Sequence, residues 1–401
     1  MAVASSIKIS KEKATFIIHA AILIIAGLST ILRPSIESNI TLFRVVLPFL
    51  FLGFFVVNTK KAITLSVVII VFLIYSLMVS LAGKYHAFSV VFNLYYITVF
   101  FFYFYCEEVV RSCKPESIHR LLVYIYKTII VLAYIQLFFG GVYFNTQDRL
   151  PAVNIFFWNE NELSAVIAIF TPLFFLKSKS NFKYFWLAAA IYMILYNDAK
   201  LALLSLIVFF GGYLIIKFKV FKIRYIGFIF LGALGLILLF FLREYSIQGK
   251  YTIEYFLSRL ANGVWTQQPL EHIGTFNSRS NAIILGVRDL LDSYFLGIGP
   301  GNSLLMIKEI VVPGTERYSA LSMHNFTLQI ITEMGIFGIG IIGFFILKVN
   351  QAAKRSYYPV NLVFLFFISS LISITLLSGA WSNYFYLFIL FYAVDFFGKN
   401  V

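Results

Sequence analysis

Long apolar runs, each about the length of a bilayer crossing and parted by short polar breaks, make up most of this chain. A membrane helix needs about 20 apolar residues. The runs predict spans at Ala14–Leu32, Thr41–Val57, Ala62–Leu81, Phe88–Tyr105, Leu121–Gly140, Leu163–Leu176, Tyr184–Tyr196, Leu201–Ile216, Ile226–Leu242, Asn325–Leu347, Val360–Leu377 and Trp381–Phe397. About twelve spans define an all-α polytopic membrane protein, one integral domain over 1–401. One polar break is long: Arg243–Met323, between the ninth and tenth spans. Within it, apolar residues recur at helical spacing over Tyr251–Trp265 (Ile253, Phe256, Leu257, Leu260) and over Asn281–Phe295 (Ile283, Leu285, Leu290, Leu291). Two short amphipathic helices, lying on the membrane surface or packed over the bundle, suit that pattern. Gly299-Pro300-Gly301 is the clearest turn signal between them and the tenth span.

Composition agrees with the pattern. Of 401 residues 60% are hydrophobic and 12% charged, about half the charge of a soluble domain. The net charge of +14 does not point to nucleic acid, because the basic residues fall in small groups between apolar runs. With the N-terminus placed in the cytoplasm, every second loop carries such a group: Lys8/Lys11/Lys13, Lys60/Lys61, Arg111/Lys114/Arg120, Lys177/Lys179/Lys183, Lys217/Lys219/Lys222/Arg224 and Lys348/Lys354/Arg355. The positive-inside rule then predicts both termini in the cytoplasm and residues 243–323 on the outer side. No signal peptide with a cleavage site precedes the first span, which is expected to stay in the mature protein. Cys106 and Cys113 share one short loop without further cysteines and read as reduced thiols, not as metal ligands.

The candidate chemistry sits at the outer ends of the spans. His324 and Asn325 open the tenth span; an imidazole titrates near neutral pH and accepts a proton from a hydroxyl, although an interfacial histidine also simply marks helix ends. Asn325 is a candidate to position a substrate hydroxyl or the imidazole. Glu333 lies within the same apolar run, where a carboxylate is costly and therefore paired or functional. Gly335, Gly338, Gly340 and Gly343 read best as close helix packing. Of the outer cations, Arg279 stands in the polar turn Asn277-Ser-Arg-Ser-Asn281, suited to a helix start. Arg317 lies seven residues before His324, and Arg288 lies on the second amphipathic stretch. A solvated loop accounts for any one of them taken singly. Lys200, beside Asp198 near the outer end of its span, forms either an interfacial pair or a cation for substrate. The stretch Asn154–Glu162, with Asn159 and Asn161, mixes aromatics, amides and carboxylates, which suits a sugar and equally an interfacial belt.

Together these stretches resemble the O-antigen ligase and polymerase superfamily of bacterial envelope glycosyltransferases. The resemblance rests on His324-Asn325 leading to Glu333-Met-Gly335 and Gly338, on Ser278-Arg279 with Leu296-Gly297-Ile-Gly299-Pro-Gly301-Asn302, and on Trp158-Asn159-Glu-Asn161-Glu-Leu163-Ser-Ala165. The chain departs from the family pattern at Ala199-Lys200, where Ser-Arg is common; lysine keeps the charge without the planar fork that grips phosphate. The resemblance implies a multi-pass protein of the bacterial inner membrane that uses a polyprenyl-pyrophosphate-linked glycan as donor and a glycan or lipid as acceptor. It implies no cofactor and no metal, and a chain-length regulator protein is a partner to expect. By this reading His324 is the base and Arg279 and Arg317 hold the pyrophosphate, with Lys200, Asn325, Arg288, Asn159 and Asn161 contacting substrate. A polysaccharide polymerase is expected before a ligase acting on lipid A-core. A secondary transporter is the rival from another class, disfavoured because the long loop follows the ninth span and the halves show no repeat.

Overall fold

The computed structural model describes residues 11–27, 59–139, 153, 155, 160–197, 199–218, 275–310, 325–374 and 384–398. They form α-helices: α1 (Lys11–Gly27), α2 (Thr59–Ala82), α3 (His86–Ser112), α4 (Pro115–Phe139), α5 (Glu160–Lys177), α6 (Lys183–Tyr196), α7 (Lys200–Lys217), α8 (Thr275–Asp292), α9 (Asn302–Ile310), α10 (Phe326–Arg355), α11 (Val360–Ile374) and α12 (Tyr384–Gly398). No strand occurs among the described residues. Five of these helices (α2, α3, α4, α7 and α10) are long and apolar enough to cross a membrane. The predicted spans at Thr41–Val57 and Ile226–Leu242, and the amphipathic stretch at Tyr251–Trp265, lie outside the described residues.

The outer surface of the bundle is greasy. On α2, Ile63, Val67, Ile70, Val71, Ile74 and Met78 are exposed along one stripe while Leu65 and Phe72 are buried. In water such a stripe would be a large apolar patch; against acyl chains it is an ordinary surface. Helix α5 is the hub. Every side chain from Glu162 to Phe175 is buried, because α4, α6, α7, α11 and α12 all pack around it. A helix covered on all sides needs no polar face, and this accounts for the weak periodicity of its sequence. Small residues set the closest approaches: a Cβ at Gly212 of α7 would stand 2.5 Å from Leu365 of α11, and Ser205 Oγ donates across the same interface to Ser369 O at 2.7 Å.

The bundle has two chemically different ends. At one, α3, α5, α7 and α10 finish with Arg111, Lys177, Lys217 and Lys354/Arg355 in their last turns, where cations complement the helix dipole. Contacts tie this end together: Lys177, Pro115, Glu116, Asp395 and Phe396 border one small cavity, and Tyr358 stacks on Phe396. The starts of α5, α7 and α10 therefore lie at the opposite end, together with the α2–α3 turn. Asn197 anchors that end: its side chain accepts from Val153 N at 3.0 Å and donates to Val153 O at 2.9 Å and Ser164 Oγ at 3.3 Å.

Candidate functional site

At the second end, α8 leads into a glycine turn that is wedged against α10. Gly297, Gly299 and Gly301 all have positive φ (88°, 94° and 76°). Space as well as torsion demands glycine here: a Cβ at Gly297 would stand 2.6 Å from Glu333 O, and one at Gly301 would stand 2.5 Å from Phe92. The turn interrupts α10 and fills the gap it makes. In an unbroken helix the Thr332 carbonyl accepts from Ile336 N. Here it accepts from Ile298 N at 3.0 Å, and Glu333 O accepts from Gly299 N at 2.9 Å. The Ile336 N–H donates to Phe295 O at 2.8 Å instead. The break is centred on Gly335, with φ 53° and ψ −130°. These three groups find partners in the turn, so the kink is built by the turn and is not a loose joint.

The Glu333 side chain locks the arrangement. It is fully buried and accepts from Tyr96 Oη of α3 at 2.7 Å, from Gln329 Nε2 at 2.9 Å and from Ser303 Oγ of α9. The Gly301 backbone N–H is a fourth donor. One carboxylate thus joins three helices and the turn, and satisfied donors on this scale are what make a buried charge tolerable. The carboxylate is paired, as one branch of the expectation has it. Thr332 Oγ1 adds a bond to Gly286 O of α8 at 3.1 Å, and Tyr75 Oη donates to Leu296 O at 2.7 Å.

The predicted site residues fall as follows. His324, Arg317 and Asn159 lie outside the described residues, as does Asp198. Asn325 is the N-cap of α10, its Oδ1 accepting from Leu328 N at 3.0 Å, so its side chain is fixed at the helix start. Arg279 does not precede a helix, as its polar surroundings suggested, but lies inside α8, which begins at Thr275 and ends at Asp292. The polar run Asn277–Asn281 is helical, whereas Tyr294 and Phe295 take positive φ and leave the helix. Gly286 of α8 meets Thr332, and Phe295, past the end of α8, meets Ile336 beyond the break in α10. Arg288 Nε donates to Asp292 Oδ2 at 3.2 Å across one helical turn, which makes it a partly engaged surface cation. Asn161 is half-buried in the first turn of α5, and half-buried Lys200 opens α7.

Of the four glycines read as packing residues, two behave so. A Cβ at Gly335 would fall on the Phe295 carbonyl and one at Gly338 on the Ile330 carbonyl. Gly340 and Gly343 meet nothing within contact distance among the described residues.

Asp289, buried in the last turns of α8, has its carboxyl pushed up to about 6 by loss of hydration, partly offset by the Arg288 charge and helped in smaller part by that of Asp292. A folded-state value above the unfolded one makes the native protein hold its proton longer, so stability falls as pH rises from about 4 to about 6. The loss amounts to up to about 3 kcal/mol above that window. Asp289→Asn is expected to raise the thermal midpoint in detergent at pH 7 by several degrees and to flatten its decline between about pH 4 and about pH 6. An unchanged pH profile would show that this carboxyl is not held in its neutral form.

Comparison with protein-family profiles, curated proteins and solved structures returns no match.

Proposed function

We propose that this is a bacterial envelope glycosyltransferase of the inner membrane, transferring or polymerising oligosaccharide units from a polyprenyl-pyrophosphate donor. The observation that carries the reading is the direct contact between two motif stretches far apart in sequence. The Gly297–Asn302 turn is hydrogen-bonded onto the Glu333–Gly335 segment of α10. Through that contact α8, with Arg279 and Arg288, stands beside the helix whose first turn follows His324. Asn161 and Lys200 lie at the same end of the bundle, and the helix-terminal basic residues of α3, α5, α7 and α10 gather at the other. By the positive-inside rule the first end faces away from the cytoplasm, where a membrane-carried glycan is processed.

In the proposed reaction an acceptor sugar hydroxyl attacks the anomeric carbon of the donor. The new C–O bond forms as the bond to the pyrophosphate breaks, the carrier lipid leaves with both phosphates, and the hydroxyl proton passes to His324. Arg279 and Arg317 neutralise the leaving group, with Arg288 and Lys200 assisting, and amides such as Asn159 and Asn161 bind sugar hydroxyls. Acceptor and sugar follow from genetics. Deleting the gene should leave single-repeat glycan on the envelope if the enzyme is a polymerase, and long polymer stranded on the carrier lipid if it is a ligase. His324→Ala should reproduce the deletion phenotype with normal protein level in the membrane. Unchanged glycan length in that variant would remove the base assignment.

A further inference from the structure

We propose that a cavity at the basic end of the bundle, between α4 and the turn joining α5 to α6, binds the phosphate of an anionic phospholipid headgroup. The cavity holds about 180 Å³ and is lined by His119, Lys127, Ser178, Ser180, Lys183 and Trp186 among others, with no carboxylate among its lining residues. Lys183 is fixed on its wall: Nζ donates to Ser178 O at 3.3 Å and lies 4.5 Å from the centre of the Phe175 ring. An ammonium has three donors, so further donors remain for a ligand. Lys127 Nζ lies 5.5 Å from the Trp186 ring and 5.9 Å from that of Phe174.

Lys127 stands in the middle of α4, a helix apolar enough to cross a membrane, where a cation is costly without a counter-charge. Among the described residues no ion pair holds Lys127 or Lys183. Two ammonium groups, hydroxyls and a histidine around a space larger than a phosphate make an anion site. Its flanks select an amphiphile: Tyr124, Phe182 and Phe185 are exposed alongside, an aromatic border of the kind that meets lipid at the membrane interface. The cavity also lies at the end where the basic loops would face an anionic leaflet. The site is independent of the proposed glycan chemistry at the opposite end.

The test titrates the purified full chain in neutral detergent with phosphatidylglycerol, phosphatidylcholine or inorganic phosphate, following the thermal midpoint. Phosphatidylglycerol should raise the midpoint saturably, and the other two should not. The double variant Lys127→Gln/Lys183→Gln should need at least tenfold more phosphatidylglycerol for half the effect, while Lys354→Gln, outside the cavity lining, should match the wild type. Ser180→Asp serves if the double variant fails to fold. It keeps an acceptor for the Phe182 N–H that Ser180 Oγ now receives and puts a carboxylate into the cavity, so it should show the same tenfold loss. Equal protection by phosphatidylcholine, or wild-type response in Ser180→Asp, would overturn the proposal. Protection by inorganic phosphate with the same lysine dependence would reassign the site to the free anion and overturn the lipid assignment.

Discussion

Replacing Glu333 by alanine is expected to destabilise the folded protein by about 3–5 kcal/mol, because it strands several buried donors at once. Tyr96 Oη, Ser303 Oγ, Gln329 Nε2 and the Gly301 N–H all aim at this carboxylate, and the site is fully buried. Glu333→Gln retains one acceptor oxygen and the shape of the side chain, so its cost should be nearer 1–2 kcal/mol. Thermal midpoints of detergent-solubilised protein give the order wild type, Gln, Ala. The pair also separates scaffold from chemistry. A positioning carboxylate predicts that Glu333→Gln, where folded, keeps glycan transfer within about tenfold of wild type. A well-folded but inactive Gln variant would mean that the carboxylate takes part in the reaction.

Gly335→Ala should be comparably damaging. Its torsions are open to glycine and strained for any L residue, at about 1–3 kcal/mol, and the added methyl would fall on the Phe295 carbonyl, adding about 1–3 kcal/mol more. The sum is a large share of a typical folding free energy of about 5–15 kcal/mol. The same substitution five residues on provides the control. Gly340 sits in regular helix with open space around it among the described residues, so Gly340→Ala should be neutral or stabilising by up to about 1 kcal/mol. Both variants go through one melting assay, and equal behaviour would show that the kink is not required.

Most of the described helices are legible in the sequence because hydropathy is a local property. The runs at Ala62–Leu81, Tyr184–Tyr196 and Leu201–Ile216 differ from α2, α6 and α7 by three residues or fewer at each end. Where a span is underestimated, the helix continues past the apolar run into polar residues: α3 to Ser112, α10 to Arg355. A run-length argument stops at the first charges, whereas the backbone keeps its hydrogen bonds into the interface. Helix α9 escapes notice because nine residues after a Gly-Pro-Gly turn show no extended period.

The site is partly legible. Gly297, Gly299, Gly301, Glu333 and Gly335 all stand out in the sequence, and Gln329, four residues before Glu333, is spaced to reach it. What no local pattern carries is that Tyr96, more than two hundred residues away, completes the clamp, or that the turn replaces bonds within α10. Those are tertiary facts, fixed by which helices touch.

The proposed function stands or falls on turnover by the purified protein. Reconstituted in vesicles with a polyprenyl-pyrophosphate oligosaccharide as donor and acceptor, the wild type should release polyprenyl pyrophosphate in step with glycan lengthening. His324→Ala should lower that release by at least a hundredfold, the scale of general-base catalysis. Undiminished release by the His324→Ala protein, or donor passing intact across the bilayer with no bond broken, would contradict the assignment.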